Sequence, residues 1–284
     1  VPIAMVLPYV FAFYLVLSLL EDFGYLPRLS ILVDTVMHKI GLHGLAIIPM
    51  ILGAGCNVPG VLSSRILESK KQRFIVITLL SISIPCMAQT AMIFGLLGKY
   101  GIKGVGTVFL VLALVWLSVS LLLNKLIKED IPETFIEITP YRIPNIRIIS
   151  KKLFWRMKGF LKEALPYMFL GVIIVNILYT FGIIQQAAKL SAPVISGIFG
   201  LPKEAVGSLL IGFLRKDIAV GMLLPLGLSM KQLIIASVVL TMYFPCIATF
   251  VIIFKELGLK DTLKSTVLML SATLVVGGLL NLIL

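Results

Sequence analysis

Residues 45–62 read LAIIPMILGAGCNVPGVL, an apolar segment interrupted by two prolines and three glycines. Proline lacks a backbone donor and clashes with the preceding helical turn, and glycine weakens a helix by about 1 kcal/mol relative to alanine. A single straight transmembrane helix is therefore excluded. We predict a re-entrant hairpin or a broken helix, which is tolerated at membrane depth only where protein or a watery cavity surrounds it.

A second apolar segment, residues 205–230, is interrupted in its middle by Arg215, Lys216 and Asp217. Ten residues precede these charges and thirteen follow them, which is too few on either side for a complete helical crossing. Each charge would cost about 2.5 to 3.5 kcal/mol at the centre of a bilayer. The segment is therefore predicted to be a second hairpin with the charges at its tip.

The rest of the chain consists mainly of long uncharged segments. Of its 284 residues, 59% are hydrophobic and 13% charged, with a mean hydropathy of +1.09, which excludes a water-soluble domain. The continuous apolar runs also exclude a transmembrane barrel, whose strands alternate with period two. Six segments approach the roughly 20 residues that a helix needs to cross a bilayer. They are residues 1–20, 74–97, 104–124, 164–188, 232–254 and 265–284.

The net charge of +12 is explained by orientation in the membrane. If both hairpins return to the side they left, 18 basic residues lie on one side and 5 on the other, whereas two crossings give 14 and 9. Because the side rich in Lys and Arg is usually cytoplasmic, the re-entrant topology is preferred. Both ends of the chain then lie outside, and nucleic-acid binding receives no support.

The chain repeats itself with an offset near 160 residues. Cys86 matches Cys246 at 160, each directly after a proline, and Gly53 matches Gly212 at 159. Each unit contains three crossings and one hairpin. Because three is odd, the two units must be inverted relative to each other, as in many secondary transporters. Chance similarity among apolar residues is the alternative.

The predicted fold is an all-α integral membrane protein with two inverted repeats, each with three transmembrane helices and a re-entrant or broken hairpin. Residues 1–127 form the first repeat, 128–162 a basic cytoplasmic connector and 163–284 the second repeat. The end of the connector is basic and aromatic, which indicates either a contact with anionic lipid or a plain cytoplasmic flank. Residues 29–40 carry an apolar stripe typical of an interfacial helix, so His38 and His43 are predicted to be interfacial residues and not ligands.

The three cysteines are the strongest candidates for metal ligands. Cys86 and Cys246 follow prolines at equivalent positions, and each proline frees a carbonyl one turn earlier beside a soft sulfur. Cys56 and Asn57 add a thiol and an amide oxygen at the first hairpin tip, and Met87 adds a thioether. Such ligands suit Fe(II) but also Zn(II) and Cu(I). The alternative is that each cysteine fills apolar space inside a helix bundle.

Charged residues at the second hairpin and at the end of the first span form a candidate gate. Asp217 would meet a cation, while Arg215 and Lys216 would pair with the two carboxylates at the end of the first span. Those carboxylates are Glu21 and Asp22. A surface hairpin tip and a solvated helix end are the alternatives.

Seven short strings together resemble one known family. In order along the chain they are LLEDFGYLPR, IGLHG, LGAGCNVPG, RILE, IPCMAQ, GFLRKD and YFPCIAT. They resemble the membrane portion of the FeoB ferrous iron transporters, with its two gate motifs, over nearly the whole chain. IPCMAQ departs from the Ser-Cys-Ser-Ala-Arg type of sequence found in many relatives.

The resemblance implies a multi-pass inner-membrane permease of a bacterium or archaeon, with Fe(II) as the transported substrate and no bound cofactor. It implies as partners the lipid bilayer, a cytosolic GTPase domain or subunit and a small SH3-like accessory protein, and it is compatible with a homo-oligomer. The chain has no GxxxxGK[ST] sequence, so GTP hydrolysis is not assigned to these residues and no enzyme activity is predicted. No basic region precedes the apolar run at Val1, so we predict a piece of a longer protein and not a signal peptide.

The sequence thus predicts inward Fe(II) transport through a midplane path gated by the two hairpins and lined by cysteine. A divalent ion entering down 100 mV gains about 4.6 kcal/mol, so a passive route is sufficient and a GTPase would regulate opening. A transporter of nucleosides or organic anions is one alternative, since Arg215 and Lys216 would suit an anion. A non-transporting membrane anchor or signalling module is the other.

Overall fold

Every regular element in the described part of the chain is helical, which confirms the all-α prediction. The computed structural model describes residues 2–127, 145–180, 182, 196–202, 205, 207–209, 212 and 216–283. Within these ranges the α-helices are α1 (Pro2–Asp22), α2 (Tyr25–Lys39), α3 (Ile47–Gly55), α4 (Asn57–Ser63), α5 (Lys70–Ile82), α6 (Met87–Leu97), α7 (Gly101–Leu126), α8 (Ile146–Thr180), α9 (Lys216–Leu223), α10 (Met230–Met242) and α11 (Ile247–Ile283). Short 3₁₀ turns follow α4, α6 and α9 and precede α3.

The first breaker-rich segment is a broken helix pair, as its prolines and glycines predict. Helix α3 ends at Gly55 and α4 begins at Asn57, with the backbone of Cys56 extended between them (φ −151°, ψ 129°). The two helices pack against each other. A Cβ atom added to Gly60 would lie 2.8 Å from the Cα atom of Gly53, so the two backbones touch. The path also bends by 110° between α2 and the segment Gly44–Gly55.

Two further breaks occur at the Pro-Cys pairs. Helix α5 ends at Ile82 and α6 begins at Met87, while α10 ends at Met242 and α11 begins at Ile247. Pro85 and Pro245 lie inside these gaps, where the missing N–H and the restriction on the preceding residue stop the helix. The prediction of proline-interrupted spans is confirmed at both positions.

A glycine with positive φ packs against an asparagine in each half of the chain. Gly41 has φ 80°, and a Cβ atom there would lie 2.0 Å from the side chain of Asn124 in α7. Gly200 has φ 64°, and its Cβ atom would lie 2.6 Å from Oδ1 of Asn281 in α11. The left-handed backbone and the close approach both require glycine. The start of each hairpin region is thereby joined to the last long helix of its half.

Lysines at the start of α5 and of α10 complete these two junctions. Lys71 Nζ donates to Oδ1 of Asn124 at 3.1 Å. Lys231 Nζ donates to the backbone carbonyl of Asn281 at 2.8 Å, while Nδ2 of that asparagine donates to the carbonyl of Ile198 at 3.1 Å. The halves therefore place the same residue types together with different hydrogen bonds.

Helices α5 and α10 lie at the centre of the bundle. Each residue from Ile75 to Ile82 of α5 and from Leu233 to Met242 of α10 is buried, and a helix that is buried all round belongs to a core. Helix α7 and the second part of α11 instead bury one face and expose apolar residues on the other. The exposed set includes Leu110, Leu114, Leu121, Leu263, Val267 and Leu274. Faces of this kind suit contact with lipid.

In the described residues, two helical stretches are long and apolar enough to cross a membrane. They are Lys70–Leu126 and Met230–Ile283, and the bent pair Tyr25–Lys39 with Gly44–Gly55 would be a third if it forms one span. The two stretches have 57 and 54 residues, so each can hold two crossings of about 20 residues. The count of six crossings stays a prediction, and part of the predicted span 164–188 lies outside the described residues.

Helix α8 runs without interruption from Ile146 to Thr180. The predicted boundary between the connector and the second repeat, at residues 162 and 163, therefore lies inside a helix. The first half of α8 packs against α1 through Leu153, which joins a small apolar cluster with Tyr14 and Leu17. Residues 128–144, most of the predicted connector, lie outside the described residues.

Candidate functional site

All three cysteines stand immediately before the first residue of a helix. Cys56 precedes α4, Cys86 precedes α6 and Cys246 precedes α11, and each is partly buried. The helix breaks that the sequence predicts from Pro and Gly thus carry the sulfur atoms. Because a helix N-terminus carries a partial positive charge from its unpaired N–H groups, it favours a negatively charged group at that position.

Buried Gln89 fixes the first Pro-Cys break. Its Oε1 accepts a hydrogen bond from the backbone N–H of Cys86 at 2.8 Å, and its Nε2 donates to the carbonyl of Thr241 at 3.2 Å. Thr241 lies near the end of α10, directly before the second Pro-Cys break. One side chain therefore joins the two breaks across the bundle.

The second break is held by a different contact. Cys246 Sγ lies 3.1 Å from the hydroxyl oxygen of Thr249, which is the third residue of α11. This contact joins the thiol to a side chain in the first turn of the following helix. The thiol orientation is thus set by the helix that follows it.

The helices that follow the three cysteines are connected through α10, which contacts both α6 and α11. Helix α4 contacts α11, α6 contacts α10, and α9 contacts α6. Cys56 and Cys246 both pack against the main apolar cluster of the bundle. Within the described ranges, however, no group of three or more His, Cys, Asp or Glu residues is arranged to hold a metal ion. The sulfurs share a region without forming a closed metal cluster.

Asn57 presents an unsatisfied acceptor next to Cys56. Its side chain is buried, and Oδ1 has no hydrogen-bond partner among the described residues. An unpaired buried acceptor costs about 1 to 3 kcal/mol. An amide oxygen aimed into the bundle at a helix break is the kind of group that a cation crossing the bundle would bind.

Met87, the predicted thioether ligand, is placed differently. It is the first residue of α6 and is exposed on the described part of the bundle, whereas the neighbouring Cys86 is partly buried. The structure thus separates the thioether from the buried set, and its place among the metal ligands stays a prediction.

The carboxylates of Glu21 and Asp22, which belong to the predicted gate, contact the first half of α8. Arg156 Nη2 donates to Oε2 of Glu21 at 2.6 Å, and Lys152 Nζ lies 3.7 Å from Glu21 and 3.8 Å from Asp22. Asp22 also accepts from the backbone N–H of Asn145 at 2.9 Å. These contacts bind the end of α1 to α8.

The rest of the predicted gate falls outside what the structure describes. Arg215 lies outside the described residues, and Lys216 and Asp217 are described only as the first two residues of α9. The proposed charge lock and the carboxylate ligand therefore stay predictions. Helix α9 begins at Lys216, as α4 begins at Asn57, 159 residues earlier.

The structure also reveals an ion pair that the sequence does not predict. Arg65 Nε donates to Oε1 and Oε2 of Glu256 at 2.9 and 3.0 Å, and its Nη2 also contacts Oε1. Arg73 supports the turn, since its Nε donates to the carbonyl of Leu67 at 2.8 Å and its Nη2 to that of Arg65 at 3.0 Å. The pair joins the end of the first hairpin to α11. Only the presence of these charges in RILE and FKELG signals it.

His38 and His43 gather around one carboxylate. Their Nδ1 atoms lie 3.3 and 3.4 Å from the oxygens of Asp34, which also accepts from the backbone N–H of Gly44 at 2.6 Å. The rings are 5.4 Å apart, edge to face. These contacts hold the turn between α2 and α3.

Comparison with known families matches most of this chain. Residues 3–100 and 161–260 match the Gate family, described as nucleoside recognition. Residues 105–156 match the family described as the C terminus of ferrous iron transport protein B. The chain belongs to the Gate family and corresponds to the membrane portion of the FeoB family. The resemblance read from the seven strings is confirmed.

Individual relatives agree with this assignment. The Fe(2+) transporter FeoB of Methanocaldococcus jannaschii is 30% identical over 290 residues, covering 87% of this chain and 42% of the relative. FeoB of Staphylococcus aureus strain COL is 29% identical over 229 residues, covering 75% and 34%. An Fe(2+) transport protein A/FeoB fusion protein of Porphyromonas gingivalis is 32% identical over 175 residues, covering 60% and 20%. The chain spans less than half the length of these relatives, and no solved structure matches it.

Proposed function

We propose that this chain forms the Fe(II) path of a multi-pass inner-membrane transporter, and that the ion passes the three helix breaks. The observation that carries the proposal is the placement of Cys56, Cys86 and Cys246 at the starts of α4, α6 and α11, where α4 packs on α11, α11 on α10 and α10 on α6. The buried Asn57 oxygen, which has no partner among the described residues, lies beside the first of them. Fe(II) is the substrate here, as the names of the relatives state for those proteins.

The thiols and the amide oxygen suit transient binding of a metal ion during transport better than permanent binding. Thiols and an amide oxygen bind a borderline divalent metal, and conduction requires binding that is strong enough for entry yet weak enough for release. Sulfurs that share a region without forming a closed cluster meet that requirement. The metal's identity rests on the relatives, since Zn(II) and Cu(I) accept the same ligands.

We further propose that the halves are inverted repeats whose hairpins are re-entrant gates. Supporting features recur at offsets of 157 to 160 residues: the Pro-Cys breaks, the starts of α4 and α9, and the junctions of Gly41 with Asn124 and Gly200 with Asn281. An odd number of crossings per repeat places the repeats upside down. The path then lies near the midplane, where the broken helices meet.

In this scheme the membrane potential supplies the driving force. A divalent cation entering down 100 mV gains about 4.6 kcal/mol, or three decades of accumulation. We propose that a cytosolic GTPase domain or subunit regulates opening and that an SH3-like accessory protein assists. The Porphyromonas gingivalis relative, named as a fusion with Fe(2+) transport protein A, favours an accessory partner.

Iron uptake by proteoliposomes tests the proposal. With a chelating dye inside and a negative internal potential, the parent chain is expected to accumulate Fe(II). The C56S/C86S/C246S variant is expected to lose at least tenfold in initial rate, and N57A to lose several-fold. Ser237→Ala is the matched control, because Ser237 also has a buried oxygen without a partner among the described residues but lies inside α10, away from the breaks. Unchanged Fe(II) uptake in the triple variant would remove the cysteine path.

A nucleoside is the second candidate substrate, because the Gate family is described by nucleoside recognition. The same vesicles are to be offered a labelled nucleoside. Nucleoside uptake without Fe(II) uptake would replace the iron proposal. If a folded chain moves neither solute, a non-transporting membrane anchor is the remaining reading.

A further inference from the structure

The first half of α8 carries an exposed cationic and apolar surface that Fe(II) transport does not use. Leu153 and Ile149 are buried, Leu153 in the cluster with α1, while Ile146, Ile148, Phe154 and Trp155 are exposed on the described structure. Trp155 is 59% exposed, and Lys158 Nζ lies 5.1 Å above its ring. Large apolar side chains exposed among lysines are typical of a helix that lies in the membrane interface.

A groove of about 570 Å³ opens on this surface. It is lined by Arg147, Ile148, Lys151, Lys152, Trp155 and Arg156. Lys152 and Arg156 already pair with Glu21 and Asp22. Arg147 and Lys151 have no carboxylate partner among the described residues. With four cations against two carboxylates, the groove keeps a net charge of about +2, which attracts an anion.

The position of the groove indicates a membrane ligand. It lies where the end of α1 meets α8, and the predicted span 164–188 begins within the same helix α8. Trp side chains are enriched at the level of the lipid headgroups. Each basic residue near an anionic leaflet contributes roughly 1 kcal/mol of attraction. An anionic group with an apolar tail matches both the basic and the apolar side chains that line the groove.

We propose that this groove binds the headgroup of an anionic phospholipid. The guanidinium of Arg147 and the ammonium of Lys151 bind the phosphate oxygens, because both are charged donors without a carboxylate partner in the described chain. Ile148 and the Trp155 ring contact the glycerol and the upper acyl carbons. The Glu21 and Asp22 pairs hold Lys152 and Arg156 at the groove wall.

Fluorescence quenching tests the site with the full chain. Trp116 and Trp155 are the two tryptophans of the sequence, so W116F leaves Trp155 as the reporter. In nanodiscs with equal mole fractions of brominated lipid, brominated phosphatidylglycerol is expected to quench Trp155 at least twofold more than brominated phosphatidylcholine. R147Q/K151Q is expected to remove the preference. K99Q/K103Q, two exposed lysines elsewhere, is the matched control and should retain it.

A second tryptophan variant and a competition with inorganic phosphate complete the test. Should W116F fail to fold, the difference between the parent chain and W155F gives the same signal. Equal quenching by both lipids, or no quenching by either, overturns the proposal. Loss of the preference on adding 10 mM inorganic phosphate, at an ionic strength held constant with chloride, would assign the groove to free phosphate and also overturn it.

Discussion

The two helix breaks at Cys86 and Cys246 share a backbone plan but differ in the side chains that hold them. Each follows a proline in a four-residue gap between helices. At the first break, Gln89 binds the backbone and reaches across to Thr241. At the second, Cys246 Sγ contacts the local Thr249 hydroxyl, and the Tyr243 hydroxyl donates to the carbonyl of Leu209 at 2.7 Å. These contacts connect the first break to the other half of the chain and the second break to residues of its own half.

The close contacts made by Gly60 and by Gly212 also differ. In the first, Gly53 meets Gly60, whose Cβ atom would lie 2.8 Å from the Gly53 Cα atom. In the second, Gly212 meets Ala219, and a Cβ atom on Gly212 would lie 3.2 Å from the Ala219 Cβ atom. The first hairpin allows no side chain at that contact, while the second already contains one. Shared backbone geometry thus coexists with different tolerance to substitution.

Exchanging the residues at this hairpin contact gives the largest expected effect. Gly60→Ala should lower the free energy of unfolding by about 3 kcal/mol, since the new methyl group meets backbone atoms that cannot move aside. Ala219→Gly should cost about 1 kcal/mol, from helix propensity and a lost methyl contact. Unfolding in mixed micelles titrated with a denaturing detergent measures both. Equal losses would show that the hairpins are packed alike.

Substitutions at Asn124 and Asn281 should differ less in their effect on the free energy of unfolding. Asn124→Ala removes an acceptor from the buried ammonium of Lys71, and hydrogen bonds to charged groups contribute about 1.5 to 3 kcal/mol. Asn281→Ala removes a neutral bond to the Ile198 carbonyl, for which about 0.5 to 1.5 kcal/mol is expected. The same unfolding titration compares them. A larger loss for N281A would reverse the assigned roles.

The contacts at the Pro-Cys breaks give the next contrast. Gln89→Ala removes two neutral hydrogen bonds and should cost about 2 kcal/mol, whereas Thr249→Val removes one weak contact to sulfur and should cost about 0.5 kcal/mol. Gln89→Glu is the matched variant, because it keeps the acceptor for Cys86 but loses the donor to Thr241. If Q89E behaves like the parent, the link between the two breaks contributes nothing.

The Arg65–Glu256 pair should give the smallest effect. The Glu256 carboxylate is 8% exposed but the Arg65 side chain is 63% exposed, so solvent screening reduces the interaction to roughly 0.5 to 1 kcal/mol. A double-mutant cycle with R65A and E256A measures it. The exposed pair of Lys264 with Asp261 is the control and should show a coupling near zero. If the coupling energy of Arg65 with Glu256 equals that of the control pair, the ion pair does not stabilise the packing of the first hairpin against α11.

How much of this could be predicted from the sequence depends on whether the cause is local. The breaks at Gly55, Pro85 and Pro245 follow from what proline and glycine do to their own helical turn, and the sequence predicts all three. The Arg65–Glu256 pair joins residues 191 positions apart, and no local pattern specifies it. The contacts of Glu21 with Lys152 and Arg156 likewise join residues far apart in the sequence, and no local pattern specifies them.

In the candidate site, too, features with a local cause are predictable from the sequence and features that depend on packing are not. The positions of the cysteines at helix starts follow from the breaks, but the exposure of Met87 depends on how α6 packs. The unpaired oxygen of Asn57 becomes visible only when the surrounding donors are placed. Sequence therefore supplies the ligand types, and packing decides which of them face the interior.

The central claim is that Fe(II) passes the three helix breaks, and protection of the thiols tests it most directly. Under anaerobic conditions, single-cysteine variants in nanodiscs are to be alkylated with a maleimide with and without Fe(II), with Mg(II) as control. We predict that Fe(II), and not Mg(II), slows modification at Cys56, Cys86 and Cys246 at least threefold at each position. Alkylation rates that Fe(II) leaves unchanged at all three cysteines, in chains that still transport iron, would contradict the account.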